Sequence, residues 1–325
     1  MQARGSQIVL GLDPDPNALW PVAGEPGAGA SAGGPAEGRA SAGDPSAGRA
    51  GTGASPRVES SGEAPAERAA RAVLVHCKAL IDATAEACVA AKPQLACFER
   101  LGAPGWSVLA AVIEHARAKG LLVIADGKRG DISVSASAYA EGLIGGVRTP
   151  WGTVAGLGAE MVTVNPLMGA DAIEPFVAAA RGAGAGVLAL VRTSNPGAAD
   201  VEDLELADGG AVWERLAAIV ERLGAPGVGE SGLSDVGAVV GATVPAHLAR
   251  ARELMPHAMF LLPGVGAQGG RVEDLAPAFA PGRAGGLVTA SRSIAGAYLR
   301  IGGEPAAAAR AEAERLRAGA WELGG

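Results

Sequence analysis

Short apolar runs alternate with helix-like segments along almost the whole chain, and this alternation narrows the fold more than any other feature. Strand-like runs occupy 7–13, 91–98, 121–126, 161–164, 186–191, 236–240, 259–262 and 286–289. Each is followed by a stretch with apolar residues at helical spacing: 66–90, 104–119, 135–143, 171–180, 211–223, 246–254, 272–279 and a closing segment near Leu316. In the first of these helices Val73, Leu74, Cys77, Leu80 and Ile81 recur at helical intervals. Strict strand–helix alternation implies parallel strands joined by right-handed crossovers. Eight units without a break predict an α/β fold, a closed (β/α)8 TIM barrel spanning 1–325 as one domain. An open doubly wound sheet is the alternative.

One segment interrupts the pattern. Between Val22 and Pro65 there is no Leu, Ile, Met or aromatic residue. Such a composition cannot bury enough apolar surface to offset its ordering entropy. A disordered, low-complexity insertion over 22–65, inside the loop after the first strand, is therefore expected. Without it the chain has about the usual ~250 residues of such a barrel, or slightly more.

The bulk properties exclude several functions. A net charge of −7 leaves no basic footprint for nucleic acid or an anionic membrane. No apolar run approaches the ~18 residues of a membrane span. The first residues lead straight into a strand without a signal-peptide profile, so a cytoplasmic protein is expected. Cys77, Cys88 and Cys97 are odd in number and sit among apolar residues, which argues for buried thiols. His76, His115, His247 and His257 have no ligand spacing, so no metal site is expected.

In a barrel, function sits at the C-terminal ends of the strands. The distinctive polar residues fall there: Asp13, Lys92, the pair Asp126 and Lys128, Thr193-Ser194-Asn195, Gly264 to Gly270, and Ser291-Arg292-Ser293. On a regular strand Asp126 and Lys128 face the same way and Gly127 the other. Read alone, that pair is either a structural ion pair or part of a site. The glycine-rich 263–270 run and Arg292 suit a phosphate, because glycines let backbone N–H groups close on an anion and Arg offers a planar fork. Gly264, Gly266 and Gly269 also match a dinucleotide fingerprint, but the acid expected ~20 residues later is missing from 284–290.

Taken together, seven motifs resemble the orotidine 5′-phosphate decarboxylase family. They are Gly11-Leu12-Asp13-Pro14, Lys92-Pro93-Gln94 with Phe98-Glu99, Asp126-x-Lys128-x-x-Asp131-Ile132, Asn165-Pro166, the run from Arg192 to Gly197, the run from Pro263 to Gly270, and Ser291-Arg292-Ser293-Ile294. The variants at 128–132 and 192–197 look like its bacterial type 2 subfamily. The resemblance implies a cofactor-free lyase that converts orotidine 5′-monophosphate to uridine 5′-monophosphate and carbon dioxide, the last step of pyrimidine synthesis. It implies a catalytic array of Lys92, Asp126, Lys128 and Asp131, with Lys128 the proton donor to C6. It also implies a homodimer in which Asp131 reaches the neighbouring site. Asp13 and Lys92 would contact the ribose, Ser194 the pyrimidine edge, and Gln268 both phosphate and base. Gly264, Gly266, Ser291 and Arg292 would hold the phosphate, and Ser135 would keep a hydroxyl where the family has one. Gly127 and Ser133-Val134-Ser135 depart from the usual residues; Gly127 is expected to face the helices. The alternatives are a sister barrel of hexulose-phosphate synthase or ketogulonate-phosphate decarboxylase type, needing Mg²⁺ and an extra acid for which Glu99 is the nearby candidate, and a non-catalytic phosphosugar-binding protein.

Overall fold

Strand β1 (Ile8–Leu12) is buried along its whole length, as a strand with packed neighbours on both faces must be. The computed structural model describes residues 1–21, 63–266 and 269–324, and the expected insertion lies outside these except for its last three residues. Helix α1 (Pro65–Thr84) follows, with Pro65 in its first turn. Then come β2 (Ala90–Pro93), α2 (Leu95–Glu99), α3 (Ala103–Ala118), β3 (Leu122–Arg129) and α4 (Ser133–Leu143). A hairpin, β4 (Gly146–Thr149) and β5 (Gly152–Ala155), precedes β6 (Met161–Val164) and α5 (Glu174–Ala183). The chain continues through β7 (Gly186–Arg192), α6 (Val212–Gly224), β8 (Val236–Val240), α7 (Pro245–Leu254), β9 (Phe260–Leu262) and β10 (Gly286–Ala290). Helices α8 (Arg292–Ala295), α9 (Ala297–Ile301) and α10 (Pro305–Leu323) close it.

The strands β1-β2-β3-β6-β7-β8-β9-β10 pair in that order, all parallel, and β10 returns to β1. The expected closed barrel is present, and the open sheet is excluded. Side-chain alternation then decides what the lumen holds. Val9, Ala90, Ile124, Leu188, Val239, Leu261 and Leu287 form one buried cluster, close to one residue per strand, with Met161 beside it. Residues at odd register from these, such as Ile8, Leu10 and Leu12 on β1, pack instead against the helices. Two positions further along each strand, a second inward layer contains Lys92, Asp126, Thr163 and Thr289, all buried. The lower lumen is therefore apolar and the upper one polar.

Several boundaries differ from the sequence expectation. The run 91–98 is not one strand: Pro93 ends β2, and α2 begins at Leu95 with the Gln94 side chain accepting from Ala96 N at 3.2 Å. The helix expected to reach residue 90 stops at Thr84, whose hydroxyl donates to Leu80 O at 2.8 Å, because the chain must re-enter the barrel at Val89. The helix at 272–279 is a 3₁₀ segment interrupted by Pro277. The β4–β5 hairpin had no sequence signal, since its strands are exposed and lack a buried face to impose alternation.

Arg252 on α7 shows how the outer layer is pinned. Its Nη1 donates to Met255 O at 2.8 Å and Ala258 O at 2.8 Å, and its Nη2 to Ala278 O at 2.9 Å and Gly285 O at 3.1 Å. Its Cζ lies 3.8 Å from the centre of the Phe260 ring. Burial brings its pKa down to about 10. Arg252→Ala would remove the donor these carbonyls share, leaving Met255 O with only the longer bond from Ala258 N at 3.3 Å. The expected loss is at least ~3 kcal/mol, or roughly 6–12 °C in thermal midpoint by calorimetry.

Candidate active site

The polar layer opens at the C-terminal mouth of the barrel, and Asp126 is its centre. Its Oδ2 pairs with Lys92 Nζ, and its Oδ1 with Lys128 Nζ at 2.6 Å. The Thr163 hydroxyl donates to Oδ1 at 2.8 Å, and Gln94 Nε2 approaches Oδ2 at 3.4 Å. Burial raises the pKa of Asp126, but the charges and hydrogen bonds of Lys92 and Lys128 outweigh it and hold the value at about 2. Burial likewise works against the charged form of Lys92, yet Asp126 and Asp13 together raise its pKa. The result is a carboxylate fixed between two ammonium groups. Lys92 is enclosed, whereas the Lys128 side chain is 44% exposed and faces the mouth.

Asp126 and Lys128 converge as expected, but not along a regular strand. The pairing of β3 with β6 shifts register between Ala125 and Arg129. Lys128 sits at φ +47°, a left-handed conformation unusual for a lysine. Its N–H is held by Thr163 Oγ1 at 2.9 Å. The bulge re-aims the lysine across the mouth rather than along the sheet. Thr163 therefore supports both groups of the pair. The sequence reading did not single it out, although a hydroxyl within Met161-Val162-Thr163-Val164 was the available signal. At Gly127, a Cβ would meet Leu95 Cδ1 at 2.9 Å, so the position faces α2 with little room to spare.

Beside the pair lies a cavity of about 110 Å³ lined by Asp13, Lys92, Gly264, Ser291, Arg292 and Ser293. Gly264 and Gly266 have φ +104° and +78°, values that favour glycine, and a Cβ on Gly270 would meet Gly264 O at 2.8 Å. The Ser291 hydroxyl donates to Gly11 O at 3.2 Å. Arg292 forms no ion pair among the described residues and is exposed. Ser293 Oγ is buried and has no hydrogen-bond partner among the described residues. These features together fit an anion. Gln268 lies outside the described residues. Ser194 follows β7 at the same mouth, against Gly241.

Two predicted residues are not brought onto the pair. Asp131 forms no ion pair with either lysine; its Oδ1 accepts from Ile132 N at 2.8 Å. Ser135 stands exposed in the first turn of α4. Glu99 is taken by Arg129, whose guanidinium also lies 5.1 Å from the Tyr139 ring centre. Among the described residues no three His, Cys, Asp or Glu side chains gather as a metal would require, and no helix is long and apolar enough to cross a membrane.

A larger cavity, about 1000 Å³, opens at the opposite mouth against Ile124, Met161, Met259 and Leu287. Two of its acids are already occupied, Glu160 by Arg117 and Asp235 by Arg181. Volume there is not accompanied by chemistry, so the site is assigned to the polar mouth.

Behind the anion pocket, the Trp20 N–H donates to His76 Nδ1 at 3.1 Å, and Trp20 Nε1 donates to Ala295 O at 2.8 Å on α8. Burial lowers the pKa of His76 to about 4. Above pH 6.5 the ring is neutral in both folded and unfolded chains. As pH falls below 6.5 only the unfolded state takes the proton, so stability should decline until about pH 4. The full loss is about 3 kcal/mol. Urea midpoints across this window should show it, and His76→Gln should flatten the slope.

The comparisons with known proteins agree with this geometry. Residues 73–311 match the family model described as "Orotidine 5'-phosphate decarboxylase / HUMPS family". An orotidine 5′-phosphate decarboxylase of Deinococcus radiodurans is 47% identical over 239 residues, 73% of this chain and 81% of that protein. One from Rhodopirellula baltica is 41% identical over 248 residues, 75% of this chain and 80% of that protein. The solved OMP decarboxylase of Leishmania donovani superposes with a TM-score of 0.66 at 29% identity, covering 98% of this chain and 96% of that one.

Proposed function

The chain belongs to the orotidine 5′-phosphate decarboxylase / HUMPS family, and we propose that it decarboxylates orotidine 5′-monophosphate to uridine 5′-monophosphate and carbon dioxide. The observation that carries this reading is Asp126 clamped between Lys92 and Lys128 beside an anion pocket. Breaking the C6–carboxylate bond leaves its electron pair on a ring carbon with no electron sink. An ammonium fixed at that carbon stabilises the charge as it forms and then delivers the proton, which is binding specific to the transition state. Lys128 is assigned that role. At ~4 Å and an effective dielectric of ~20, such a charge pair is worth about 4 kcal/mol. That is too little alone, so the grip on the remote phosphate must contribute by holding the site closed.

The remaining roles follow the motifs. Asp13 and Lys92 hold the ribose, and Ser194 reads the pyrimidine edge. Gly264, Gly266, Ser291 and Arg292 bind the phosphate, with Ser293 added for its unsatisfied hydroxyl. Gln268 bridges phosphate and base, and Ser135 supplies a hydroxyl at the rim. Asp126 presents like charge to the substrate carboxylate. We assign the protein to the type 2 subfamily, to the cytoplasm, and to a homodimer in which Asp131 completes the neighbouring site. Asp131, in no ion pair among the described residues, supports that last point, as do the exposed apolar residues Ile132 and Val134 beside it in sequence and Leu167 and Met168 after β6. One barrel domain interrupted only by the 22–65 segment fits the same reading.

The sister-barrel reading has less support, because the acid it needs, Glu99, is engaged by Arg129. The test is direct. Purified protein given orotidine 5′-monophosphate with excess EDTA should discharge the substrate's ultraviolet absorbance at an undiminished rate. An unchanged spectrum without EDTA would refute decarboxylation, and activity abolished by EDTA and restored by Mg²⁺ would favour the sister barrels.

A further inference from the structure

Beyond the groups that touch substrate, the loop carrying Ser194 is held by residues with no assigned role. Arg192, the last residue of β7, makes a two-pronged ion pair with Asp203: Nε to Oδ1 at 2.7 Å and Nη2 to Oδ2 at 2.8 Å. Glu202 takes the next residue, its Oε2 accepting from Thr193 N at 2.8 Å and its Oε1 lying 2.9 Å from the Thr193 hydroxyl. The chain between folds back as a short 3₁₀ turn, Pro196–Asp200, with Glu202 N donating to Ala198 O at 2.7 Å. Residues 192–203 thus form a closed loop, stapled at its neck by two carboxylates. Arg192 and Glu202 are mostly buried, which removes these contacts from much of the solvent screening that weakens surface pairs.

The opposite side of Ser194 is set by Gly241, just after β8. Its N–H donates to Arg192 O at 2.7 Å. A Cβ on Gly241 would stand 2.9 Å from Ser194 Cα and 3.0 Å from both Ser194 N and Cβ. These are mostly backbone atoms, so the serine itself would have to move. The staple holds the neck from one side, and the bare glycine lets the strand approach from the other.

We propose that Glu202, Asp203 and Gly241 are positioning residues that fix Ser194 at the pyrimidine edge and so set recognition of the base without touching it. The inference rests on the reading of Ser194 as the base-recognising group. A displaced hydroxyl loses its hydrogen bond to the base but leaves the phosphate groups on the loops after β9 and β10 in place.

The test measures binding of uridine 5′-monophosphate and of ribose 5-phosphate, which lacks the base, to Gly241→Ala, Glu202→Gln, Ser194→Ala and the paired variants. Gly241→Ala and Glu202→Gln should each weaken the nucleotide by about tenfold and change ribose 5-phosphate by less than about twofold. In the Ser194→Ala background neither should weaken the nucleotide further, since their effect passes through that side chain. A loss that persists in full in that background, or equal losses for both ligands in a variant with wild-type circular dichroism, would overturn the positioning role. Should Gly241→Ala fail to fold, Glu202→Gln decides alone. If Ser194→Ala binds the nucleotide as tightly as wild type, the underlying reading of Ser194 fails, and the positioning role falls with it.

Discussion

Lys128→Ala should lower turnover of orotidine 5′-monophosphate by at least about 10⁴-fold while changing the affinity for uridine 5′-monophosphate by less than about tenfold. The two effects separate because the ammonium is needed where charge develops, not where the product rests. Loss of one preorganised donor to a developing charge typically costs 10²–10³-fold, and loss of the proton source a further 10²–10⁴-fold, so their product exceeds either alone. The fold should survive. Asp126 keeps Lys92 and the Thr163 hydroxyl as partners, and alanine removes only a half-exposed side chain. The left-handed backbone at 128 costs an alanine about what it costs the lysine, so strain does not confound the comparison. Stopped-time product assays and nucleotide titration would measure the two quantities. A turnover loss below ~10²-fold would remove Lys128 from the role of proton donor.

The physical reason the barrel was legible is that each of its strands is buried on both faces and each helix on one, so burial writes itself into composition at two different periods. Lys92, Asp126 and Lys128 stood out because charges that end an apolar strand are costly unless paired, although those letters alone left an ion pair and a site equally open. What escaped depends on contacts between residues distant in the chain. Thr163 is 37 residues from Asp126, yet it orients that carboxylate and the Lys128 N–H. Nothing in the letters around Lys128 marks a register shift or a positive φ, since only the pairing of β3 with β6 produces them. The break after Pro93 had a local signal in the proline itself, but the apolar run Leu95-Ala96-Cys97-Phe98 continues in a form equally suited to strand or helix. The Glu202–Asp203 staple reads in sequence as ordinary loop acidity until Arg192 is seen across from it.

In the proposed homodimer the role of Asp131 depends on a second chain, and its test has the sharpest outcome. Among the described residues it forms no ion pair, while Val134 near it in sequence is 83% exposed and Leu167 after β6 64%. Val134, which departs from the family pattern, has an account in this arrangement: an apolar side chain at a rim that a partner covers. Single-chain protein with Asp131→Asn, and separately with Lys128→Ala, should each be nearly inactive, by at least ~10²-fold for the former. Mixed in equal amounts under conditions that allow subunit exchange, the two should recover about a quarter of wild-type activity. Half the dimers then contain one chain of each kind. In those, the barrel with Asp131→Asn keeps its own Lys128 and receives an intact Asp131 from its neighbour, while the other site carries both defects. Were Asp131 to serve its own barrel, every site in every dimer would hold one defect and no activity would return. Exchange is verified independently by differently tagged chains, so a silent mixture of exchanged dimers would refute the shared site, and recovery would place the acid across the interface.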